Sequence, residues 1–147
     1  MRALQCTLLV AAILTAGCGD ELPTEPTDPA TNLTGTWRGN IAVSNVTAVM
    51  TWTLTQTGSA VTGPVVISLP SGVVLMNGTV AGTVAGTTLP FTVTVPPGGI
   101  LSQPGCSGAI AGTSTVSSTM TINGNYSVAT STCTTGLTSG TFTLTRQ

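Results

Sequence analysis

Between Val46 and Leu54 the chain alternates without a break. Val46, Ala48, Met50, Trp52 and Leu54 occupy every second place, and Thr47, Val49, Thr51 and Thr53 fill the places between, a pattern that Thr55 continues. A period of two is the repeat of a β-strand with one face in a core and the other in water, and a helix cannot gather such a pattern onto one side. Ile41 and Val43 follow Trp37 on one face in the same way. Further runs cover Val61 to Leu69, Val73 to Val84, Thr87 to Val95, Cys106 to Thr115, Met120 to Val128 and Gly140 to Arg146, eight strands with the first two. Turn residues separate them: Thr57-Gly58-Ser59, Pro70-Ser71-Gly72, Ala85-Gly86-Thr87, Pro96-Pro97-Gly98-Gly99 and Val116-Ser117-Ser118. No segment carries a helical period.

Short connections make successive strands antiparallel neighbours, and the roughly 114 residues from Thr34 onward suit one domain. Eight meandering strands predict a closed antiparallel β-barrel. Closure removes sheet edges that this chain, poor in charge, has little means to protect. Glycines at 63, 78, 82, 108, 112 and 124 fall inside the runs, where they permit sharp coiling. A two-sheet β-sandwich has a similar composition and is the alternative. Asn77-Gly78 and Asn123-Gly124 have the chemistry of hairpin turns yet lie within alternating runs, which leaves strand limits open there.

From Thr34 to Gln147 there is no Asp, Glu, His or Lys, and the charged side chains are Arg38 and Arg146. General acid–base catalysis needs a side chain that exchanges a proton near the working pH, and a Ser or Thr nucleophile needs a base. Tyr126 alone fills neither role, so the domain is expected not to be an enzyme. Two arginines also fall short of the multi-phosphate contacts on which nucleic-acid binding rests, so no nucleic-acid partner is expected. No cofactor is implied.

The N-terminus reads as an export signal. Arg2 precedes an apolar run from Leu8 to Leu14, and the segment closes on Thr15-Ala16-Gly17-Cys18. The run is shorter than the roughly 20 residues of a spanning helix. Ala16-Gly17 before Cys18 resembles the bacterial lipobox, although Thr15 stands where that motif usually has Leu. The resemblance implies that residues 1–17 are a lipoprotein signal peptide, that Cys18 carries the lipid, and that the protein is anchored in the bacterial cell envelope. Gly19, rather than Asp, follows Cys18; by resemblance to enterobacterial lipoproteins this implies the outer membrane.

Residues 18–33 hold all four acidic residues of the chain together with prolines at 23, 26 and 29. Like charges and proline keep such a segment extended and solvated, so it is expected to be a tether, with residues 34–147 forming the barrel domain. Cys6 leaves with the signal and Cys18 takes lipid, so Cys106 and Cys133 are left to pair. Closing their loop of about 28 residues contributes roughly 3 to 4 kcal/mol on the chain-entropy model. Two thiols without His or carboxylate do not complete a metal shell, and no metal is expected.

Gly35-Thr36-Trp37 opens the first strand, and Arg146 ends the last one in phase with Phe142 and Leu144. This resembles the calycin pattern of lipocalin-like barrels. There, a G-x-W on the first strand packs beneath a basic side chain from near the chain end and closes one mouth. The resemblance implies that Trp37 and Arg146 meet as a cation over an indole face. Familiar calycin features are missing, among them an acid near the first hairpin and a C-terminal helix.

Two functions follow as expectations. In the first, the barrel encloses a small apolar ligand, contacted by Met50, Trp52, Met76, Phe91 and Tyr126 from an inward set that also includes Val65, Ile67 and Ile122. In the second, the domain is a structural or interaction protein displayed on the envelope without a small ligand. Rows of outward threonine, Thr51, Thr53, Thr55 and Thr57, then Thr141, Thr143 and Thr145, would form its surface. Threonine also suits an exposed strand position simply by β-propensity, so these rows do not name a protein partner.

Overall fold

The structure, a computed structural model, describes residues 32–43, 46–117, 120–134 and 138–147. The signal segment, Cys18 and the tether to residue 31 lie outside the described residues. Eight strands follow one another: β1 (Gly35–Val43), β2 (Val46–Thr57), β3 (Ala60–Ser68), β4 (Val74–Thr83), β5 (Thr88–Val95), β6 (Gly108–Ser117), β7 (Thr121–Ser131) and β8 (Ser139–Arg146). Each pairs antiparallel with the next, and β1 returns to β8 to close the barrel. A two-sheet sandwich is therefore not what the chain builds.

The period of two becomes a division between inside and outside. Along β5, Leu89, Phe91, Val93 and Val95 are buried while Thr88, Pro90, Thr92 and Thr94 are exposed. Thr53, Thr55 and Thr57 on β2, and Thr141, Thr143 and Thr145 on β8, point outward and are exposed, whereas Thr51 is half-buried. Strand limits differ from expectation where backbone pairing outruns the apolar pattern. β7 continues past Val128, because Thr130 and Ser131 pair with Ala109 and Gly108. The sixth strand starts at Gly108 rather than Cys106, which belongs to the preceding loop. Asn77-Gly78 lies within β4, paired with Val66 and Val65, and Asn123-Gly124 lies within β7, so neither forms a turn.

Glycine and proline mark where the barrel bends. The β2–β3 ladder runs through Trp52↔Val65 and resumes at Thr55↔Thr62, and Gly63-Pro64 occupies the break. A proline with a neighbour on each side must forfeit one ladder bond. A Cβ on Gly63 would run into the Thr53 carbonyl, so that glycine is what lets the strands approach there.

The meander sorts its connections onto two ends. The hairpins at residues 58–59 and 84–87 lie at one end, with the start of β1 and the end of β8. The loops 69–73 and 96–107 and the β7–β8 connection lie at the other. Between them runs one continuous core, from Leu33, Trp37, Leu54, Leu89, Ile122 and Leu144 at the first end to Met50, Ile67, Met76 and Ile110 toward the second.

Candidate functional site

The two ends are built differently. At the first, Trp37 is a register partner of both Trp52 on β2 and Arg146 on β8. The Arg146 guanidinium carbon stands 5.5 Å from the Trp37 ring centroid. Arg146 donates through Nη1 to the Asn32 carbonyl at 3.2 Å, and through Nη2 to the Thr34 carbonyl. Gly35 lies under this side chain. A Cβ there would come within 3.3 Å of Arg146 Nε, and its φ of +141° is one that L side chains rarely adopt, so the glycine of Gly35-Thr36-Trp37 answers both demands.

Leu33 finishes the closure. It is fully buried, although the sequence reading places it in the tether. The Trp37 indole donates from Nε1 to its carbonyl at 2.8 Å, and its own N–H donates to Gln56 Oε1 at 2.8 Å. Gln56 in turn donates its backbone N–H to Thr34 Oγ1 at 3.0 Å. Neither Leu33 nor Gln56 stands out in the sequence, because the bonds that join Gln56 to Leu33 and Thr34 span more than twenty residues of chain.

The five side chains expected to line a ligand cavity, Met50, Trp52, Met76, Phe91 and Tyr126, do converge in the interior. The space they leave is about 20 Å³, room for about one water molecule. A small-molecule pocket is roughly 300 Å³ or more. The filling is aromatic: Trp52 meets Phe91 at 5.1 Å and Phe142 at 5.2 Å between ring centroids, and the two phenyl rings meet at 5.7 Å. Met50, Trp52, Phe91 and Tyr126 act here as packing, and Met76 packs there while also lining the open end. Trp52 Nε1 is buried without a hydrogen-bond partner among the described residues, which costs on the order of 1–3 kcal/mol. Tyr126 reaches from β7 toward β1 and donates its hydroxyl to the Ala42 carbonyl at 3.4 Å; burial raises its pKa above the ordinary value.

Space for a ligand lies at the second end, in an open cleft of about 1150 Å³. It exists because β4 and β5 pair only from Thr79 to Gly82, so the first residues of β4 part from β5. The loop 96–107 folds back into the gap: Ile100 bridges to Met76, and Asn77 N–H donates to the Gly99 carbonyl at 2.7 Å. The floor is Ile67, Met76 and Ile110, three side chains that also bound the small interior space. Val73 and Leu101 stand on the rim, 56% and 60% exposed. The lining also carries hydroxyl-bearing residues, Ser102 on the loop and Thr130, Ser131 and Thr134 at the end of β7 and beyond.

A disulfide fixes this wall. Cys106 and Cys133 are bonded, with Cα atoms 4.9 Å apart, and they tie the 96–107 loop to the segment after β7. Polar bonds reinforce the tie: Ser107 N–H donates to Thr132 Oγ1 at 2.9 Å, and Thr134 donates its N–H and hydroxyl to Gln103 Oε1, each at 2.9 Å. Among the described residues no cluster of side chains suits a metal ion. Arg38 and Arg146 both sit toward the first end, and among the described residues the cleft has no charged lining side chain.

No protein-family model matches the chain, and no curated protein is detectably similar to it. Among solved structures it is similar to a redesigned β-barrel, with a TM-score of 0.57 and 17% sequence identity over 78% of this chain and 91% of that one. At that identity the likeness is one of fold: an eight-stranded antiparallel barrel.

Proposed function

We propose that this protein is a lipid-anchored, lipocalin-like barrel of the bacterial cell envelope that binds a small apolar ligand non-enzymatically in the cleft at its open end. The observation that carries the ligand reading is the contrast between the two spaces: a filled interior of about 20 Å³ and an apolar-floored cleft of about 1150 Å³. The anchoring rests on Ala16-Gly17-Cys18 after a short apolar run and on the acidic, proline-bearing tether. Two acyl chains on Cys18 would make attachment stable, each buried CH₂ contributing about 0.8 kcal/mol. Trp37 beneath Arg146, with Gly35 between strand and guanidinium, supports the calycin likeness. The absence of carboxylate, His and Lys side chains from Thr34 onward supports a binding role over catalysis.

A second reading, envelope display for a protein partner, is favoured by the exposure of Val73 and Leu101 on the cleft rim. One experiment separates the two. The chain is expressed in a bacterium, isolated from membranes, and its intact mass and co-purifying small molecules are measured by mass spectrometry. A diacyl or triacyl mass on Cys18 and a co-purifying apolar molecule lost in Leu101→Asp are expected. Unmodified Cys18 would remove the anchoring. A lipidated protein with no such molecule would favour the display reading.

A further inference from the structure

From the makeup of the cleft walls we infer that its ligand is an uncharged amphiphile, with an apolar body and a hydroxyl, ester or amide head, taken up as a single dissolved molecule. The inference deepens the ligand-binding reading above and rests on it. Three observations carry it. First, the lining is mixed: apolar Val73, Leu75 and Leu101 share it with the hydroxyl-bearing Ser102, Thr130 and Ser131. A wholly apolar molecule would leave those hydroxyls facing hydrocarbon, whereas a head with donors and acceptors meets them. Second, among the described residues no charged side chain lines the cleft, and Arg38 and Arg146 belong to the far end. A carboxylate or ammonium group drawn in would lose water and gain no counter-charge. Third, the cleft is a concavity with an apolar floor of Ile67, Met76 and Ile110. A flat bilayer surface cannot fill it, while the chain of a single molecule can rest on that floor.

The test is competition against Nile red, an uncharged dye, on the oxidised full chain carrying Cys18→Ser so that no attached lipid competes. The competitors are 1-monolauroylglycerol, laurate at pH 8 and dodecyltrimethylammonium, each below its micelle concentration. They share a twelve-carbon chain length and differ mainly in the head. Monolauroylglycerol should displace the dye at least about tenfold more tightly than either ion, given what burying an unpaired charge costs. Leu101→Asp should weaken its binding by about tenfold or more while far-ultraviolet circular dichroism stays unchanged. Laurate or the ammonium competing as well as the neutral compound would overturn the inference and leave the ligand reading standing. Unchanged affinity in Leu101→Asp would place the site elsewhere and overturn it too, as would binding to zwitterionic vesicles without displacement by dissolved monolauroylglycerol. Failure of the chain to bind Nile red or any of the three compounds would overturn the ligand reading itself.

Discussion

Phe91 and Gly112 lie directly opposite each other across β5 and β6, and the phenyl Cζ sits 2.7 Å from where a Cβ on Gly112 would project. Phe142 and Gly124 repeat the arrangement across β7 and β8, at 2.6 Å. Each ring lies over a neighbour that has no side chain, and the two rings then meet Trp52. A barrel with only two Phe, two Trp and one Tyr in the whole chain is filled this way, because the inward glycines admit large side chains at the centre. That packing leaves an interior space of about 20 Å³.

Gly112→Ala should therefore destabilise the barrel by about 1–3 kcal/mol. The new methyl meets the Asn125 carbonyl as well as the Phe91 ring, and a ladder carbonyl cannot step aside. Urea unfolding should show a lower midpoint with an unchanged slope. Gly105→Ala is the control: a Cβ there meets nothing within 4 Å, so its midpoint should move by no more than about 0.5 kcal/mol equivalent. Equal effects at the two sites would contradict the packing account.

Trp37 and Arg146 should prove energetically coupled. The guanidinium stacks over the indole while donating to the Asn32 and Thr34 carbonyls, so Arg146→Ala removes packing as well as charge. In a double-mutant cycle with Trp37→Phe, the two changes should depart from additivity by at least about 0.5 kcal/mol. Arg146→Lys should not restore the loss, since one ammonium cannot reproduce a planar fork over a ring. Additive effects would mean that the contact adds nothing of its own to stability.

What the sequence tells in advance and what it withholds have separate physical causes. Every strand was legible because the repeat of two is local: Leu89, Phe91, Val93 and Val95 announce a buried face by spacing alone. The turns at Gly58-Ser59 and Gly86-Thr87 were legible for the same reason, being short and chemically distinctive, whereas Val116 and Ser117, expected in a turn, extend β6 by pairing with Ile122 and Thr121, because Val116 belongs to the buried face. The cleft was not legible. It depends on Ile100 folding back to bridge Met76, a pairing across 24 residues that no periodicity encodes. Leu33 looked like tether because its neighbours on the N-terminal side are polar, acidic or proline, and only the Gln56 amide and the Trp37 indole reveal it as a plug. The filled interior was hidden in the register: Phe91 opposite Gly112 is apparent only once β5 and β6 are aligned.

Reducing the Cys106–Cys133 bond should act on the cleft before it acts on the barrel. The bond joins the 96–107 loop to the segment after β7 and leaves every strand ladder intact. On the chain-entropy model its loss costs about 3–4 kcal/mol, so a lower melting temperature with a retained strand signature in circular dichroism is expected. Hydrogen exchange should quicken most in 96–107 and 132–134. Uniform quickening over β1 to β8 would show instead that the bond supports the whole domain.

Tyr126 should make the barrel sensitive to alkali. It is the chain's one tyrosine; its hydroxyl donates to the Ala42 carbonyl, and burial raises its pKa. An acid whose pKa is higher folded than unfolded holds its proton more firmly in the native state. Below the unfolded value of about 10 both states are protonated, and the group adds no pH dependence. As pH rises through that value the unfolded chain ionises first and binds fewer protons, so stability falls, by at most about 1.4 kcal/mol per pH unit. The loss ends only once the folded phenol also ionises. Urea midpoints should thus be level from about pH 7 to 9 and decline above about pH 10. Tyr126→Phe should lower the plateau slightly, through the lost hydrogen bond, and flatten the decline. Ultraviolet titration should find the phenol ionising at higher pH in the folded protein than in urea. A decline of equal steepness in Tyr126→Phe would assign the alkaline sensitivity to another group.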